Sequence, residues 1–302
     1  MNNKRRLFST VLCVAALTAG LFVSGCGSDK AGGIGSVVSS VVDGGSDEKA
    51  AAKLNTLIDA TNRFNGDNAT WGQNYADSLA KLKGGFAEGA IANQPHFDRL
   101  QADLEKAKKE GSTFKEVDAE RDNLLNILNE LVPVYKDLTA YDDSKAYMND
   151  GGAKGKELAA KYVAAVEKFD AAYAKFNETL NKVNAEQSKK QIEKLKKDGK
   201  KGYAAAMEST LRLTTLVENV EKAPKNADKQ AVEKELNEIQ TLLKSINNDR
   251  GEVLINSYNS VVGSVRQVLT DANENNLNDM IENFNNYIES YNNTTPDQFD
   301  SK

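Results

Sequence analysis

The chain has 302 residues, of which 27% are charged, and its net charge is −5 at pH 7. An acidic balance argues against a nucleic-acid partner, because phosphates are bound by clustered basic side chains. The chain has one histidine and two cysteines, which argues against a transition-metal site, since such sites draw several ligands from these residue types. We therefore expect neither a metal nor another cofactor.

The first 25 residues have the layout of a secretory signal peptide. Three basic residues, Lys4-Arg5-Arg6, precede an apolar run over 7–23, and the small pair Ser24-Gly25 leads directly to Cys26. The apolar run is interrupted by polar residues and is shorter than the roughly 20 residues that cross a bilayer. This pattern favours a cleaved signal over a membrane anchor.

Cys26 in this setting resembles the modified cysteine of bacterial lipoproteins. The resemblance implies cleavage before Cys26, diacylglycerol on its thiol, and a further acyl chain such as palmitate on the new amino group. Two or three chains would anchor the protein stably, because each buried methylene contributes about 0.8 kcal/mol. Gly27 follows the cysteine. The resemblance therefore implies the outer membrane in a two-membrane bacterium, and otherwise the outer leaflet of the cell membrane.

A glycine- and serine-rich segment over 27–46 follows the proposed lipid site. This composition is typical of a flexible linker, and twenty such residues have an end-to-end distance of about 25 Å. We expect residues 26–46 to form a lipidated start and a tether that keeps a folded body near the membrane.

The segment 47–295 shows apolar residues at helical spacing almost throughout, which predicts an all-α domain of about eight or nine helices. The first predicted helix ends at Phe64, before a turn over 65–68. Pro133 lies inside the fourth helical pattern and should kink or break it. Amphipathic helices joined by short polar turns favour an elongated bundle. Residues 296–302 are predicted to be a polar tail.

The longest predicted helix covers about 153–198, which corresponds to nearly 70 Å. Its apolar residues alternate steps of four and three, the spacing of a heptad seam. The seam residues are Tyr162, Val166, Phe169, Tyr173, Phe176, Leu180 and Val183. The aromatic members either form core or line a cavity for an apolar ligand. This helix could also be shared by two bundles.

The residue patterns of the common catalytic sites are missing from the sequence. His96, the one histidine, follows Pro95 at a predicted helix start, and no Gly-x-Ser-x-Gly elbow occurs. The glycine- and lysine-containing run over 151–156 lacks P-loop spacing. We therefore predict that the protein is not an enzyme. A pair of carboxylates acting as in a cell-wall hydrolase is the one catalytic alternative.

Three segments together resemble the YiiG-like family of bacterial lipoproteins: Leu54–Asn65, Tyr141–Leu158 and Tyr258–Val262. The resemblance implies an all-helical envelope protein with no established activity, and it carries over no catalytic residue. It also draws attention to the loop over 141–156. Tyr141, Tyr147, Asp150 and Lys156 are an unusual set for a polar connection. They are candidates for ligand binding, or for a structural loop joined by tyrosine hydrogen bonds.

The sequence thus predicts a lipid-anchored, helical cell-envelope protein with an interaction or structural role. Its expected partners are the membrane, through Cys26, and an unidentified envelope protein. The alternative is a module that binds a small ligand between helices or at the 141–156 loop.

Overall fold

The computed structural model describes residues 46–69, 72–92, 94–111 and 114–300. Within these ranges every regular element is helical, so the predicted all-α class is confirmed. Eleven helices are present in the described residues, and nine of them have at least seven residues. Cys26, the signal segment 1–25 and most of the tether lie outside the described residues.

The helix bounds follow the amphipathic pattern closely. The helices are α1 (Ser46–Ala69), α2 (Gly72–Lys83), α3 (Phe97–Lys109), α4 (Lys115–Asp143), α5 (Tyr147–Asp150), α6 (Ala153–Lys197), α7 (Lys201–Lys222), α8 (Lys229–Lys244), α9 (Asp249–Thr270), α10 (Glu274–Asn292) and α11 (Pro296–Asp300). The turn predicted over 65–68 is not formed, because α1 continues to Ala69. No helix in the described ranges is both long enough and apolar enough to cross a membrane.

The chain divides into two compact units, and the boundary falls between Val183 and Asn184, within α6. The first unit contains α1 to α5 and most of α6. Its core contains an aromatic cluster in which the ring of Phe169 lies 5.0 Å from Phe97 and 5.8 Å from Phe64. Six of the seven predicted seam residues of α6 are at most 2% exposed, so they belong to the core.

Pro133 does not break α4, which runs without interruption from Lys115 to Asp143. Proline removes one helical hydrogen bond, to the carbonyl of Asn129. Both Asn129 and Pro133 are exposed, so solvent can reach that carbonyl. The neighbouring Leu131 and Val132 are buried and hold this part of the helix against the core.

The second unit contains the last turns of α6 and helices α7 to α11. Tyr203, Tyr258, Tyr287 and Tyr291 fill much of its core, and two of them place their hydroxyl on a polar partner. The hydroxyl of Tyr287 lies 3.1 Å from that of Thr210, while Tyr258 donates to the carbonyl oxygen of Leu236. Two bidentate ion pairs hold α8 on its neighbours, Arg212–Glu235 to α7 and Arg266–Glu233 to α9.

The segment predicted as a polar tail differs from that expectation. Residues Pro296–Asp300 form α11, and Phe299 is only 2% exposed. The segment has one large apolar residue, too few to show a helical period. Its structure instead depends on the surface that receives Phe299.

Candidate functional site

The loop over 141–156 joins the end of α4 to the start of α6 through the single turn α5. Gly151 and Gly152 make the bend possible, because their φ angles of 64° and 83° are in the left-handed region that favours glycine. Tyr141 stands in the last turn of α4, and Asp150 ends α5. The loop therefore brings residues from both sides of the bend to the first turn of α6.

Asp150 caps the first turn of α6 and is bound by Tyr141. Its Oδ1 accepts from the backbone N–H of Gly152 at 2.9 Å, and its Oδ2 accepts from that of Lys154 at 3.1 Å. The hydroxyl of Tyr141 donates to Oδ1 at 2.6 Å. These donors stabilise the carboxylate, and the hydrogen bond from Tyr141 is the main reason that the pKa of Asp150 is lowered.

The pKa of the Tyr141 hydroxyl is shifted in the opposite direction to that of Asp150. Partial burial and the hydrogen bond to Asp150 both raise the pKa of Tyr141. A tyrosine that already donates to a carboxylate is stabilised in its protonated form. Tyr141 is therefore suited to holding the loop, and it is poorly suited to act as a base.

Tyr147 joins the same cluster through its ring. Its centroid is 5.5 Å from that of Phe86 and 6.5 Å from that of Tyr141. The interaction with the Glu88 carboxylate, together with burial, raises the pKa of Tyr147 to about 12. Lys156 is exposed on α6, and the structure shows it making none of the hydrogen bonds that join Tyr141 to Asp150. Three of the four predicted residues thus come together, and Lys156 lies at the edge.

The cluster also holds the connection between α2 and α3. The ring of Phe86 packs edge-on against Tyr141, with centroids 5.1 Å apart. A Cβ atom at Gly155 would lie 2.5 Å from Cγ of Phe86, so glycine is needed for this close approach. The backbone N–H of Gly89 donates to Oδ2 of Asp142 at 2.9 Å. The loop therefore fastens residues 86–89 to the bend between α4 and α6.

Asp142 is nearly buried and lies in an acidic environment. Burial is the main reason that the pKa of Asp142 is raised, and the nearby Asp143 and Glu88 add to the effect. The hydrogen bond from Gly89 acts against this rise. The hydrogen bond from Gly89 thus stabilises the Asp142 carboxylate at a position where burial and nearby carboxylates disfavour its charge.

Sequence reasoning missed Phe86 and Gly89 as parts of this cluster, and with them the contact of Gly89 with Asp142. One signal could have indicated a close contact at the start of α6. Gly152 and Gly155 are three residues apart at a helix start, a spacing that suggests a bulky group approaching the helix. This spacing would not have identified Phe86, which lies 66 residues before Gly152 in a stretch without regular structure.

His96, the residue considered for catalysis, lies at the start of α3 and is exposed. It borders a shallow surface depression together with Phe64, Arg99, Leu100 and Asp103. The depression encloses no space for even a water-sized molecule, so it does not have the form of a small-molecule site. Among the described residues, no three His, Cys, Asp or Glu side chains group as metal ligands.

Comparison with known proteins identifies the family of this chain. No curated protein and no solved structure shows a significant match. A family model with the description "Protein of unknown function (DUF3829)" matches residues 48–279, well over half of the chain. The match covers α1 to α9, part of α10, and the whole 141–156 loop. The chain therefore belongs to the DUF3829 family of proteins of unknown function.

Proposed function

We propose that this protein is a lipid-anchored component of the bacterial cell envelope whose helical body acts by binding another envelope protein, without catalysis. The observation that carries the proposal is the sequence around Cys26. A basic start, a short apolar run and the small pair Ser24-Gly25 precede that cysteine, as in lipoprotein signals. The resemblance to YiiG-like lipoproteins supports the same assignment.

The geometry of the 141–156 loop supports a binding role for the body better than a catalytic one. The carboxylates of Asp142 and Asp150 accept hydrogen bonds from backbone N–H groups. The hydroxyl of Tyr141 donates a hydrogen bond to the carboxylate of Asp150. Groups that serve the fold in this way give a rigid surface, and rigid elements suit recognition.

The anchoring is tested by expressing the full chain with Cys26→Ala and, as a matched control, with Cys13→Ala. Cys13 lies within the apolar run, so its removal should leave the signal functional. The wild type and Cys13→Ala should incorporate an alkyne-bearing palmitate analogue and sediment with membranes, and Cys26→Ala should do neither. Mass spectrometry should show a mature chain that begins at an acylated Cys26. An unmodified chain that begins at another residue would refute the proposal.

The membrane to which the protein is delivered is expected to depend on the residue after Cys26. The residue after the cysteine is Gly27, and aspartate is the residue that typically retains lipoproteins at the inner membrane. We therefore place the protein at the outer membrane of a two-membrane bacterium, or on the outer leaflet of a single cell membrane. Membrane fractionation of wild type and Gly27→Asp tests this location. In a two-membrane host, the substitution should move the protein to the inner membrane.

The interaction role is tested by crosslinking in intact cells, followed by affinity capture of the anchored chain. A single envelope protein should be recovered repeatedly with the wild type and lost with Cys26→Ala, which would no longer be held at the membrane. Recovery of no specific protein across several growth conditions would contradict the role.

A second candidate function is the binding of a small ligand at the 141–156 loop. The observation that favours it is the exposure of Met148, the residue after Tyr147, whose side chain is 71% exposed. An exposed apolar side chain in a loop that also contains the exposed cation Lys156 is suited to an apolar acid. A thermal-shift screen with Lys156→Ala as the control tests this function. Ligands that stabilise both proteins equally would argue against binding at the loop.

A further inference from the structure

Helix α11 is a short segment that depends on the surface beneath it. It has five residues, and an isolated helix of this length is not stable in water. Its neighbours are the first turns of α7 and α9 and the last turn of α10. We call this surface the α11 groove and define it by Lys200–Tyr203, Asn248 and Tyr291.

Phe299 is the apolar anchor of α11 in the groove. Its side chain is only 2% exposed. Its ring is stacked with Tyr203 at a centroid distance of 5.9 Å and with Tyr291 at 6.0 Å. The backbone also approaches closely, because a Cβ atom at Gly202 would lie 2.1 Å from the carbonyl oxygen of Phe299. The groove therefore requires an aromatic side chain and a glycine opposite it.

Polar groups of the groove match the backbone and charges of α11. The Oδ1 atom of Asp300 accepts from the N–H of Gly202 at 2.6 Å. This N–H belongs to the first turn of α7, where helices leave donors unsatisfied. The amide of Asn248 donates to the carbonyl oxygen of Phe299 at 3.1 Å, and Lys200 pairs with Asp297 at 3.3 Å. An aromatic anchor, hydrogen bonds to the backbone and a charge pair are the kinds of contact by which proteins recognise peptides.

We propose that the α11 groove is a peptide-binding site, and that α11 of a second copy of this chain can occupy it in place of the chain's own. All contacts described above come from one continuous segment, which is joined to α10 by the three residues Asn293–Thr295. A second copy presents the same residues in the same order, so every contact can form again between copies. Exchange of an identical element is a low-cost route to a dimer.

Two full-length variants test the exchange, because each should disable a different half of the contact. Phe299→Ala removes the anchor and should leave the groove vacant. Gly202→Ala should obstruct the groove and leave α11 free. Each variant alone should sediment as a monomer, whereas their mixture should form a one-to-one complex in which Gly202→Ala supplies α11. Failure of the two folded variants to form a complex on mixing would overturn the proposal.

A matched control separates the groove from a general effect of alanine in a helix. Gly263 lies in α9, and a Cβ atom there would meet nothing within 4 Å. Gly263→Ala should keep α11 in place and form no complex with Phe299→Ala. A complex as strong as that of Gly202→Ala would show that the association arises elsewhere, and would also overturn the proposal.

A peptide version covers the case in which Phe299→Ala does not fold. A peptide with the sequence of residues 293–302 and a photoreactive group at position 298 is incubated in excess with the wild-type chain. Crosslinks should form at Asn248 or Tyr203, and replacing the peptide's phenylalanine by alanine should reduce them at least about tenfold, which corresponds to about 1.4 kcal/mol. Crosslinks confined to other surfaces, or equal yield from both peptides, would exclude recognition by the groove.

Discussion

Asp170 offers the sharpest test of the electrostatics of the first unit. It lies on α6 and is partly buried, and burial is the main reason that its pKa is raised from 3.8 to about 7. Lys83 lowers this pKa and Glu167 raises it, but they pair with each other at 2.7 Å. Burial is the main reason that the pKa of the Tyr75 hydroxyl is also raised, and the charge of Asp170 adds to that rise. The ionised form of Asp170 is therefore disfavoured in the folded protein.

The sign of the resulting pH dependence follows from proton linkage. The folded state holds the proton of Asp170 up to about pH 7, while the unfolded chain releases it near pH 4. The contribution of Asp170 to stability is therefore greatest below pH 4, declines as the pH rises, and is constant above pH 7. At 1.36 kcal/mol per pKa unit, with allowance for the solvent access that Asp170 retains, the loss between pH 5 and pH 8 is about 2 kcal/mol.

Asp170→Asn should remove this pH dependence. We expect the free energy of unfolding of the variant to exceed that of the wild type by about 2 kcal/mol more at pH 8 than at pH 5. Urea unfolding at both pH values, followed by circular dichroism, measures this difference. Glu178→Gln is the matched control, because Glu178 is on the same helix and its side chain is 76% exposed. It should unfold in parallel with the wild type.

An independent measurement reports on the carboxyl group itself. Carboxyl NMR of protein with labelled aspartate should show one resonance that titrates near pH 7 and is missing in Asp170→Asn. Parallel stability profiles for Asp170→Asn and the wild type would refute the reasoning, as would titration of every aspartate below pH 5.

Three further experiments test the loop and one ion pair. Gly155→Ala should destabilise the protein by about 1–3 kcal/mol because its Cβ would overlap Phe86, whereas Gly263→Ala, in open space, should stabilise it by up to about 1 kcal/mol. Equal melting temperatures of the two variants would contradict the close approach of Phe86 to Gly155. Asp150→Ala should lower the melting temperature at pH 7, and this difference from the wild type should shrink as the pH falls through the lowered pKa of Asp150, because that shift stabilises the fold only where the carboxylate is charged. A pH-independent effect would exclude the charged cap. A double-mutant cycle on Arg212 and Glu235, paired at 2.7 Å, should give a coupling of about 0.5–1 kcal/mol that falls in high salt. A coupling insensitive to salt would contradict an ion pair that solvent can reach.

The fold was largely predictable because helices of this kind repeat a simple pattern. The seam of α6 shows it well, since Tyr162, Val166 and Phe169 follow heptad spacing and all three are buried. Errors arose where one residue was weighed without its surroundings. Pro133 suggested a break, but the lost hydrogen bond lies on the exposed face and buried neighbours hold the helix. The turn expected after Phe64 was favoured by local propensity, yet α1 continues through it.

The candidate site was predictable only in part, because its contacts join distant segments. Tyr141 and Asp150 are close in sequence, so their interaction could be anticipated from the loop alone. Phe86 and Gly89 come from an irregular stretch with no periodicity, and they meet the loop only through the packing of α2 and α3. The burial of Phe299 was missed for a similar reason, because the groove that receives it is built from three other helices.

The glycine in the first turn of α6 has a consequence for the order of folding. Gly155 makes this end a poor place to begin a helix, since glycine costs about 1 kcal/mol relative to alanine in a helix interior and nucleation is already unfavourable. Asp150 compensates as a cap, but only the bend after α4 brings Tyr141 to it. Helix growth should therefore begin within the alanine-rich stretch over 159–174 of α6 and reach its first turn late. Weakening the cap should then speed unfolding and leave the folding rate nearly unchanged.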